Sequence, residues 1–515
     1  MSLYTILFVT ITIYILRLIL TRKYNYWSKK KVPHLNPLLL FGNYKDLILL
    51  KKPRQLVAQE ICQKFPDEPY IGTYFGTEPA LLVQDPDILK LILAKDFYYF
   101  NGREISEHVK KETVTRNLFF YGGDDWKILR QNLTPLFTAS KMKNMFPLII
   151  DCANNLKTTI EIEREMSEKL DAKSFLAKYA VDCITNCAFG FNANTMISCD
   201  PNNIFVNMGK TIAGNTIRRG LKNIFHAMWP GLFYGIKLRL FDTALSNFFH
   251  DLLIDIFKSR INTKSSRNDF IDLFLSWKQS KFLIGDSLSN ITTGKKNTVH
   301  IKVTDELLVS QCVLIFGGGF ETTSTTLSFF LYEIAKHQDV QIKLIEEIDA
   351  YFQKHNGIIE YECTTEMPYL ESCIDETMRL YPVFGVLMRE VMSDYVFPTG
   401  LSLKKDDRIH IPVYHVHHNP KNFPNPKEFR PERFFKDEKN NIKPYTYLAF
   451  GEGSRSCIGA RFGKMVMFAG IIKLLKEYRV QLADDMPFRI GFDPKPFVTV
   501  PDQPIFLNLI RRFPE

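Results

Sequence analysis

The segment 450–463 reads FGEGSRSCIGARFG and places one cysteine, Cys457, in a loop of glycines and arginines. Its glycines allow a tight turn and a close approach of the backbone to a flat group. The pattern after Cys457 predicts a helix, and the free amides at a helix start lower the pKa of a thiol and favour the thiolate. Arg455 supplies a cation for a carboxylate on the same group. The loop therefore predicts a thiolate site for a flat, acidic ligand.

A thiolate that faces such a ligand is what a haem with an axial cysteine requires. The segment also matches the signature F-x-x-G-x-R-x-C-x-G of the cytochrome P-450 family, at Phe450, Gly453, Arg455, Cys457 and Gly459. Five matched positions arise by chance in roughly one chain of this length in ten thousand. The chain thus resembles the cytochromes P-450. The resemblance implies haem b (iron protoporphyrin IX), with Cys457 as its axial thiolate and metal ligand and with Phe450 and Arg455 as cofactor-binding residues.

Two further motifs carry implied site residues, in the order that the family has them. WKILR supplies Trp126 and Arg130, which in the family hold the haem propionates. GGFETT, which begins at Gly318, matches the oxygen-groove motif of a long central helix. It implies Glu321 and Thr322 as catalytic residues that deliver protons. Many family members have alanine in place of Gly318, so the resemblance implies a wider groove in this chain.

A second pair of motifs has a structural role in the family. ETMR and FRPERF supply Glu376, Arg379 and Arg433, which the resemblance places in a buried triad without a chemical role. An ordinary surface pair at i and i+3 is the alternative for the first two residues. The likeness covers nearly the whole chain. In FETTSTTL, LTPLFTASKMKNMF and DETMRLYP the chain is similar to the insect microsomal branch, family 6.

Composition limits the possible classes of function. The chain has 515 residues, 45% of them hydrophobic and 24% charged, which is enough for a large buried core. Its formal net charge of +10 suits nucleic acid, an anionic membrane surface or an acidic protein partner. The basic residues form no long tract, which argues against nucleic acid. Nine cysteines without CxxC spacing argue against a disulfide framework or a structural zinc site and indicate a reducing compartment.

Residues 1–20 predict an uncleaved signal-anchor transmembrane helix. The run LYTILFVTITIYILRLIL is apolar apart from Arg17 and reaches roughly 27 Å, close to the thickness of a bilayer core. A cleaved signal peptide is the alternative, but the positive charge follows the apolar run. This asymmetry predicts an endoplasmic reticulum (microsomal) membrane protein whose catalytic domain faces the cytosol. A basic, proline-containing connector, 21–45, then leads to the haem-binding catalytic domain, 46–515.

The catalytic domain is predicted to be mainly α with small β-sheets, a single large domain of the cytochrome P-450 fold. Helical periodicity dominates residues 55–350, and short strand-like segments lie near 70–83, 408–413 and 505–509. The longest helix is predicted from Thr304 to about His337. Inside it are three consecutive glycines, each of which costs a helix about 1 kcal/mol relative to alanine. A close helix crossing and a functional site are the two interpretations of this glycine run.

Two segments are predicted to be exposed and irregular. Residues 279–302 are polar and rich in glycine, serine and asparagine, which is typical of a surface loop. The histidines of HVHHNP, at 415, 417 and 418, have no carboxylate at ligand spacing. We therefore expect solvated loop histidines there and no metal site.

The function that this reading implies is that of a membrane-anchored haem-thiolate monooxygenase acting on small apolar substrates: xenobiotics, plant toxins, insecticides or endogenous lipids and hormones. By family position the expected pocket walls are Phe316, Phe320, Val383, Phe384 and Phe497. The apolar-basic stretch 226–238 is expected to touch the membrane beside the pocket mouth.

Electrons must come from outside, because the chain has no flavin or nicotinamide fingerprint. The resemblance implies an NADPH–cytochrome reductase, with cytochrome b5 as a second donor. The basic residues expected to receive the acidic face of the reductase are Lys127, Lys141, Lys143 and Lys464. Two alternatives stay open: a haem-thiolate isomerase or dehydratase that needs no reductase, and a non-enzymatic haem sensor or carrier. NADPH-dependent oxygen uptake separates the first from a monooxygenase.

Overall fold

The computed structural model describes residues 3–513 with the exception of 167–168, 199, 201–202, 264–266 and 268. The α-helices in these residues are α1 Leu3–Thr21, α2 Tyr26–Lys29, α3 Lys45–Ile48, α4 Arg54–Gln63, α5 Pro86–Lys90, α6 Gly123–Leu133, α7 Ala139–Asn154, α8 Leu156–Met166, α9 Ala172–Ile184, α10 Ile204–Ala213, α11 Ile217–Met228, α12 Pro230–Gly235, α13 Thr243–Thr263, α14 Phe270–Ser280, α15 Asn290–Thr293, α16 Asp305–Lys336, α17 Gln338–Lys354, α18 Cys363–Glu366, α19 Pro368–Leu380, α20 Val413–His418 and α21 Ala460–Glu477. The strands are β1 Tyr70–Phe75, β2 Glu78–Val83, β3 Leu170–Asp171, β4 Phe282–Asp286, β5 Thr298–Lys302, β6 Leu387–Glu390, β7 Tyr395–Val396, β8 Ser402–Leu403, β9 Arg408–Ile411, β10 Tyr478–Leu482 and β11 Phe506–Arg511. The fold is thus mainly helical with small sheets, which confirms the predicted fold class.

The strands form four small sheets. The largest has the strand order β1–β2–β9–β6, and in it only the β2–β9 pair is parallel. A second, antiparallel sheet has the order β10–β11–β3, and β4–β5 and β7–β8 are two-stranded. The predicted strand segments near 70–83, 408–413 and 505–509 are confirmed as β1–β2, β9 and β11.

Helix α16 crosses the domain and confirms the predicted long central helix. Thr304 caps its start, where the Thr304 hydroxyl accepts a hydrogen bond from the amide of Leu307 at 3.3 Å. Asp305 and Glu306 follow in the first turn, at the positive end of the helix dipole. The helix contains 32 residues and packs against α9, α10, α13 and α19. Side chains on every side of α16 are therefore buried, and one of its faces borders the cavity described below.

The segment 279–302 is a correction, because it is not an irregular loop. Strands β4 and β5 pair from Phe282↔Lys302 to Asp286↔Thr298 and form a hairpin that packs on α6. On its inner face Leu283 is buried, while Phe282 and Ile284 on the outer face are about half exposed. This alternation over five residues is typical of a half-buried strand, and the polar turn residues between the strands masked it in the sequence.

The predicted structural triad lies in the core, at the junction of α19 with the segment after it. Arg379 donates two hydrogen bonds to Glu376, at 2.7 and 2.8 Å, and both side chains are fully buried. Arg433 approaches the same carboxylate at 3.3 Å. Arg379 also donates to the carbonyl oxygens of His417, Pro426 and Glu428. The pair is therefore a buried network and not a surface pair.

The histidines of HVHHNP are a second correction. They lie on helix α20, which packs against α4 and α19, and His415 and His417 are 7% and 0% exposed. His417 accepts a hydrogen bond from the amide of Leu448 at 2.8 Å, and its other ring nitrogen lies 3.0 Å from the carbonyl oxygen of Arg379. Burial lowers the pKa of His415 to about 4. These side chains are neutral core residues because packing, and not solvent, surrounds them.

Helix α1 is the one described helix that is long and apolar enough to cross a membrane, and no part of it is buried. The segment that follows is attached to the body. Trp27 is 1% exposed and donates from its indole nitrogen to the carbonyl oxygen of Thr73 at 2.9 Å. Lys23 forms an ion pair with Glu78 at 2.5 Å. The exit of α1 is therefore fixed against the β1–β2 turn.

Candidate functional site

The cysteine loop owes its shape to two glycines in the left-handed region, Gly451 and Gly453, with φ of 69° and 71°. A side chain at Gly453 would overlap the carbonyl oxygen of Leu93, so this glycine allows the loop to approach another part of the chain. The amide of Cys457 donates to the carbonyl oxygen of Phe450 at 2.8 Å and closes the loop. Helix α21 starts three residues after Cys457, as predicted.

Cys457 opens into an internal cavity of about 280 Å³. Protein surrounds the thiol, although it is accessible from the cavity. Burial raises the pKa of Cys457 above its usual range, while the backbone of Gly459 and the charges of Arg130 and Arg103 oppose this shift. The prediction that a helix start lowers this pKa is therefore wrong for the polypeptide alone, because desolvation outweighs the amides. A cation at the sulfur would favour the thiolate.

Four arginines from separate parts of the chain line this cavity: Arg103, Arg130, Arg389 and Arg455. No carboxylate is among the described residues that line it. The Nε atoms of Arg103, Arg389 and Arg455 are buried and have no hydrogen-bond partner. Burial lowers the pKa of Arg103 to about 9 and that of Arg389 to about 10. Buried donors that lack acceptors indicate an anionic ligand in the cavity.

The two arginines predicted from motifs are held by the polypeptide. Arg130 donates to the carbonyl oxygen of Ser456 at 2.8 Å, next to the cysteine. Arg455 donates to the carbonyl oxygens of Phe119 and Tyr121, and its guanidinium lies 5.0 Å from the ring centroid of Trp126. Trp126 is buried and lines the cavity, as do Phe450 and Arg130. The structure thus brings the five predicted cofactor-binding residues together around one space.

Sequence reasoning missed Arg103 and Arg389. Neither belongs to one of the motifs named above. Arg389 lies on β6, in the largest sheet, and is 1% exposed. The available signal was an arginine directly after the apolar run PVFGVLM, residues 382–388, since a charged side chain is seldom buried without a partner.

Helix α16 forms one wall of the cavity with Gly318, Gly319, Thr322, Thr323 and Thr326. The Thr322 hydroxyl lines the cavity and donates to the carbonyl oxygen of Gly318 at 2.7 Å. An added Cβ at Gly318 would meet nothing within 4 Å, whereas one at Gly319 would lie 2.8 Å from Ile184 of α9. Both interpretations of the glycine run are therefore partly right: Gly318 borders the cavity and Gly319 permits a close helix crossing.

Glu321 does not line the cavity. Its carboxylate forms an ion pair with Lys173 of α9 at 2.6 Å, and the Lys173 side chain is 30% exposed. Successive helical residues point roughly 100° apart, so Glu321 faces α9 when Thr322 faces the cavity. Glu321 and Thr322 are thus adjacent in sequence, but Thr322 lies at the cavity and Glu321 lies against α9.

The apolar walls agree with the prediction in part. Val383 and Phe384 line the cavity, together with the unpredicted Phe119. Phe316 and Phe320 are a correction: they lie on the other side of α16, where Phe316 packs on Phe205 and Phe249 and Phe320 packs on Gly209. Phe497 is also corrected, because it is 48% exposed and only supports Phe119 and Phe384 from outside, at ring distances of 6.3 and 5.8 Å.

The lysines predicted to receive the reductase differ in whether their side chains are already paired with acids or carbonyl oxygens. Lys464 forms ion pairs with Glu371 at 2.7 Å and Asp375 at 3.4 Å, so it is largely neutralised. Lys143 pairs with Glu362 at 2.5 Å. Lys127 donates to the carbonyl oxygen of Ser287 on the β4–β5 connection, at 3.0 Å. Charge on this face is therefore more balanced than the sequence indicated.

A thiol, unpartnered cationic donors and apolar walls around one cavity fit a haem with its two carboxylates. A sequence model of the family described as Cytochrome P450 matches residues 32–509. The chain belongs to the cytochrome P450 family, and it is a monooxygenase of the oxidoreductase class. The family implies a haem with thiolate ligation.

Among its relatives are named insect members of the same family. The chain is 34% identical over 495 residues to cytochrome P450 6B2 of Helicoverpa armigera, covering 96% of this chain and 95% of that protein. It is 34% identical over 518 residues to cytochrome P450 6B1 of Papilio polyxenes, covering 99% and 100%. It is 34% identical over 493 residues to cytochrome P450 6k1 of Blattella germanica, covering 95% and 93%. The predicted resemblance to insect family 6 is confirmed.

Proposed function

We propose that this protein is a reductase-dependent monooxygenase of the endoplasmic reticulum that inserts one oxygen atom into small apolar substrates. The observation that carries the proposal is the cavity itself. In one enclosed space it combines the Cys457 thiol, four arginines without an acid among the described lining residues, apolar walls and the Thr322 hydroxyl.

Haem b, when bound, supplies oxygen activation, which with two electrons and two protons converts RH and O2 to ROH and water. Cys457 would hold the haem iron through its thiolate. Arg103, Arg130, Arg389 and Arg455 would bind the two carboxylates of the haem, and the buried Nε donors of Arg103, Arg389 and Arg455 have no other partner among the described residues. The Trp126 ring holds Arg455 in place, and Phe450 closes the loop around the sulfur by its carbonyl.

Thr322 and Glu321 are proposed to move protons to the cavity. The Thr322 hydroxyl holds a proton at the cavity wall and is anchored by its bond to Gly318. The Glu321 carboxylate lies beside α9, where Lys173 contacts it at 2.6 Å. Proton delivery would therefore run from solvent near Lys173 to Glu321 and then to Thr322, with water as the connecting carrier.

The substrate class follows from the lining. Phe119, Val383 and Phe384 together with residues of α16 give an apolar volume whose hydroxyl groups lie along one wall. Such a volume favours compounds such as plant toxins, insecticides, or endogenous lipids and hormones, which gain free energy by leaving water. NADPH–cytochrome reductase, with cytochrome b5 as a second donor, is the proposed source of electrons. Helix α1 is the proposed membrane anchor, with the body in the cytosol.

Two matched pairs of variants test this proposal in membranes supplied with reductase. Cys457→Ser is expected to lose the absorbance band that reduced, carbon monoxide-treated haem-thiolate proteins show. Cys187→Ala changes a different cysteine of the same cavity and is expected to keep it. If Cys457→Ser keeps the band and Cys187→Ala loses it, the assignment of Cys457 as the ligand is wrong.

Thr322→Ala is expected to consume NADPH but to release more hydrogen peroxide and roughly a hundredfold less product, the lower end for general acid catalysis. Thr325→Ala is the control, because Thr325 is buried on another side of α16 and its hydroxyl has no partner among the described residues. Wild-type protein that turns over substrate peroxides without NADPH would favour the isomerase alternative.

A further inference from the structure

A second cavity, a surface groove of about 820 Å³, lies far from the cysteine loop along the chain. Helix α11, the segment that joins α12 to α13, and the end of α3 enclose it. Its basic lining residues are Arg218, Lys222, Lys237 and Arg239, and its apolar ones include Leu221, Phe225, Trp229 and Leu238. The groove thus combines positive charge with apolar surface.

The four basic side chains outnumber the two acids near them, Asp242 in the lining and Glu112 beside it. None of them forms a hydrogen bond or an ion pair with another residue in the described part of the chain. The one acid in the lining, Asp242, accepts a hydrogen bond from the amide of Ala244 at 3.2 Å. Burial lowers the pKa of Lys222, and the charges of Arg219 and Arg218 lower it further, while Glu112 and Asp242 oppose the shift. Four cations that remain unpaired around one groove favour an anionic occupant.

The groove lies beside the end of the proposed membrane anchor. Trp229 in its wall donates to the hydroxyl of Thr77 at 2.8 Å. The next residue, Glu78, forms the ion pair with Lys23, two positions after the end of α1. Two contacts therefore connect the groove to the point where the anchor leaves the body.

Exposed apolar side chains surround the basic ones. The exposed fractions are 47% for Leu221, 55% for Leu232, 56% for Ile236 and 43% for Leu49. Large apolar side chains close to a tryptophan and several basic residues are typical of a protein surface at the headgroup level of a bilayer. This surrounding apolar surface distinguishes the groove from a site for a soluble anion.

We propose that this groove binds one anionic phospholipid from the bilayer, with the phosphate and the headgroup held by Arg218, Lys222, Lys237 and Arg239. The acyl chains then lie along Leu221 and Leu238 towards the membrane. The proposal rests on the proposed membrane anchoring by α1, and it goes further because it assigns a specific lipid site to a surface distinct from the substrate cavity.

The fluorescence of Trp229 can measure lipid binding in the groove. The other three tryptophans, Trp27, Trp126 and Trp277, are at most 5% exposed, so lipid atoms quench mainly Trp229. The full chain is placed in phosphatidylcholine vesicles that contain a minor fraction of phosphatidylserine, and either lipid carries brominated acyl chains. We expect brominated phosphatidylserine to quench at a much lower mole fraction than brominated phosphatidylcholine, and Trp229→Phe to remove the difference.

The triple variant Arg218→Gln, Lys222→Gln, Arg239→Gln is expected to weaken this preference by roughly a hundredfold, because each basic residue near an anionic surface contributes about fivefold to binding. The control is Lys295→Gln, Lys296→Gln, Lys302→Gln, which removes the same charge from exposed positions on the β4–β5 hairpin and its turn. The control should retain the preference. Sedimentation with vesicles reports anchoring separately and should be equal in all variants.

Three results would overturn the proposal. Equal quenching of wild-type protein by the two brominated lipids would leave the groove as ordinary membrane-facing surface, and this comparison needs no variant. Displacement of the signal by soluble glycerophosphoserine would assign the groove to a free phosphate ester. An equal loss of preference in both triple variants would assign the effect to net charge. Wild-type protein that fails to sediment with vesicles contradicts the anchor instead.

Discussion

A methyl group added at each glycine of the run 317–319 separates the two roles that this run plays in α16. Gly318→Ala, Gly317→Ala and Gly319→Ala introduce the same chemical change in the same helix. At Gly318 the new Cβ meets nothing within 4 Å. At Gly317 it lies 3.0 Å from Ile212 of α10, and at Gly319 it lies 2.8 and 3.0 Å from two atoms of Ile184.

The expected free energies of unfolding follow from two terms. Replacing a helical glycine with alanine stabilises a helix by about 1 kcal/mol, and this term is common to all three variants. Overpacking in a dense core costs about 1–3 kcal/mol, and it is expected at Gly319, because the contact is with Ile184, which is 4% exposed. Gly318→Ala should therefore be more stable than wild type by about 1 kcal/mol. The difference between Gly318→Ala and Gly319→Ala should equal the overpacking cost, about 1–3 kcal/mol.

Urea titrations of the detergent-solubilised protein, followed by far-ultraviolet circular dichroism, measure these differences. Gly317→Ala should fall between the other two, since Ile212 is only half-buried and has room to move. A Gly318→Ala variant as unstable as Gly319→Ala would refute the assignment of Gly318 to the cavity wall. Ligand-induced spectral shifts provide the functional counterpart: Gly318→Ala, which narrows the cavity, should weaken the binding of the bulkiest ligands first.

Three further predictions concern buried charge. Arg379→Ala leaves the buried Glu376 carboxylate with Arg433, at 3.3 Å, as its remaining charged partner and should cost about 3 kcal/mol, the lower end for a broken buried pair, whereas Lys143→Ala removes an exposed pair and should cost less than about 1 kcal/mol; urea unfolding compares them. Because the pKa of His415 is about 4 when folded and 6.5 when free, its contribution to stability is complete above pH 6.5 and is lost as the pH falls towards 4, by about 3 kcal/mol. His415→Leu should therefore flatten the pH dependence measured between these values. Arg389→Met should stabilise the haem-free protein and yet accelerate loss of haem to an acceptor protein, since Arg389 has an unpartnered Nε until a carboxylate binds; slower loss would contradict its assigned role.

The parts of the fold that the sequence predicts well depend on neighbouring residues in the chain. The start of α16 at Thr304 follows from a cap and two acids in the first turn, which act over one turn of helix. The cysteine loop is equally local, because its positive-φ glycines and Cys457 lie within seven residues. Local rules suffice where the structure is determined within a short segment.

The misplaced residues depend on how elements are rotated against each other. Phe316 and Phe320 lie on one side of α16, while Thr322 and Gly318 lie on the other. The sequence of a helix that is apolar on every side does not indicate which face will border the cavity, because every face packs against another element. The same holds for Glu321, whose direction is determined by Lys173 on a helix about 150 positions earlier in the chain.

The position of the arginines gives a physical reason for the positive charge of the chain, formally +10. Four cations line the cavity beside Cys457 without an acid among its described lining residues, and four more line the groove beside α11, where Asp242 is the one acid among the described lining residues. Elsewhere the described basic residues are often paired with acids, as Lys464 and Lys143 are on the predicted docking face. Unpaired charge that is buried, as at the cavity beside Cys457, costs free energy until an anion enters. The excess is therefore concentrated where ligands with carboxylates or phosphates would bind, which explains a basic composition without nucleic acid as a partner.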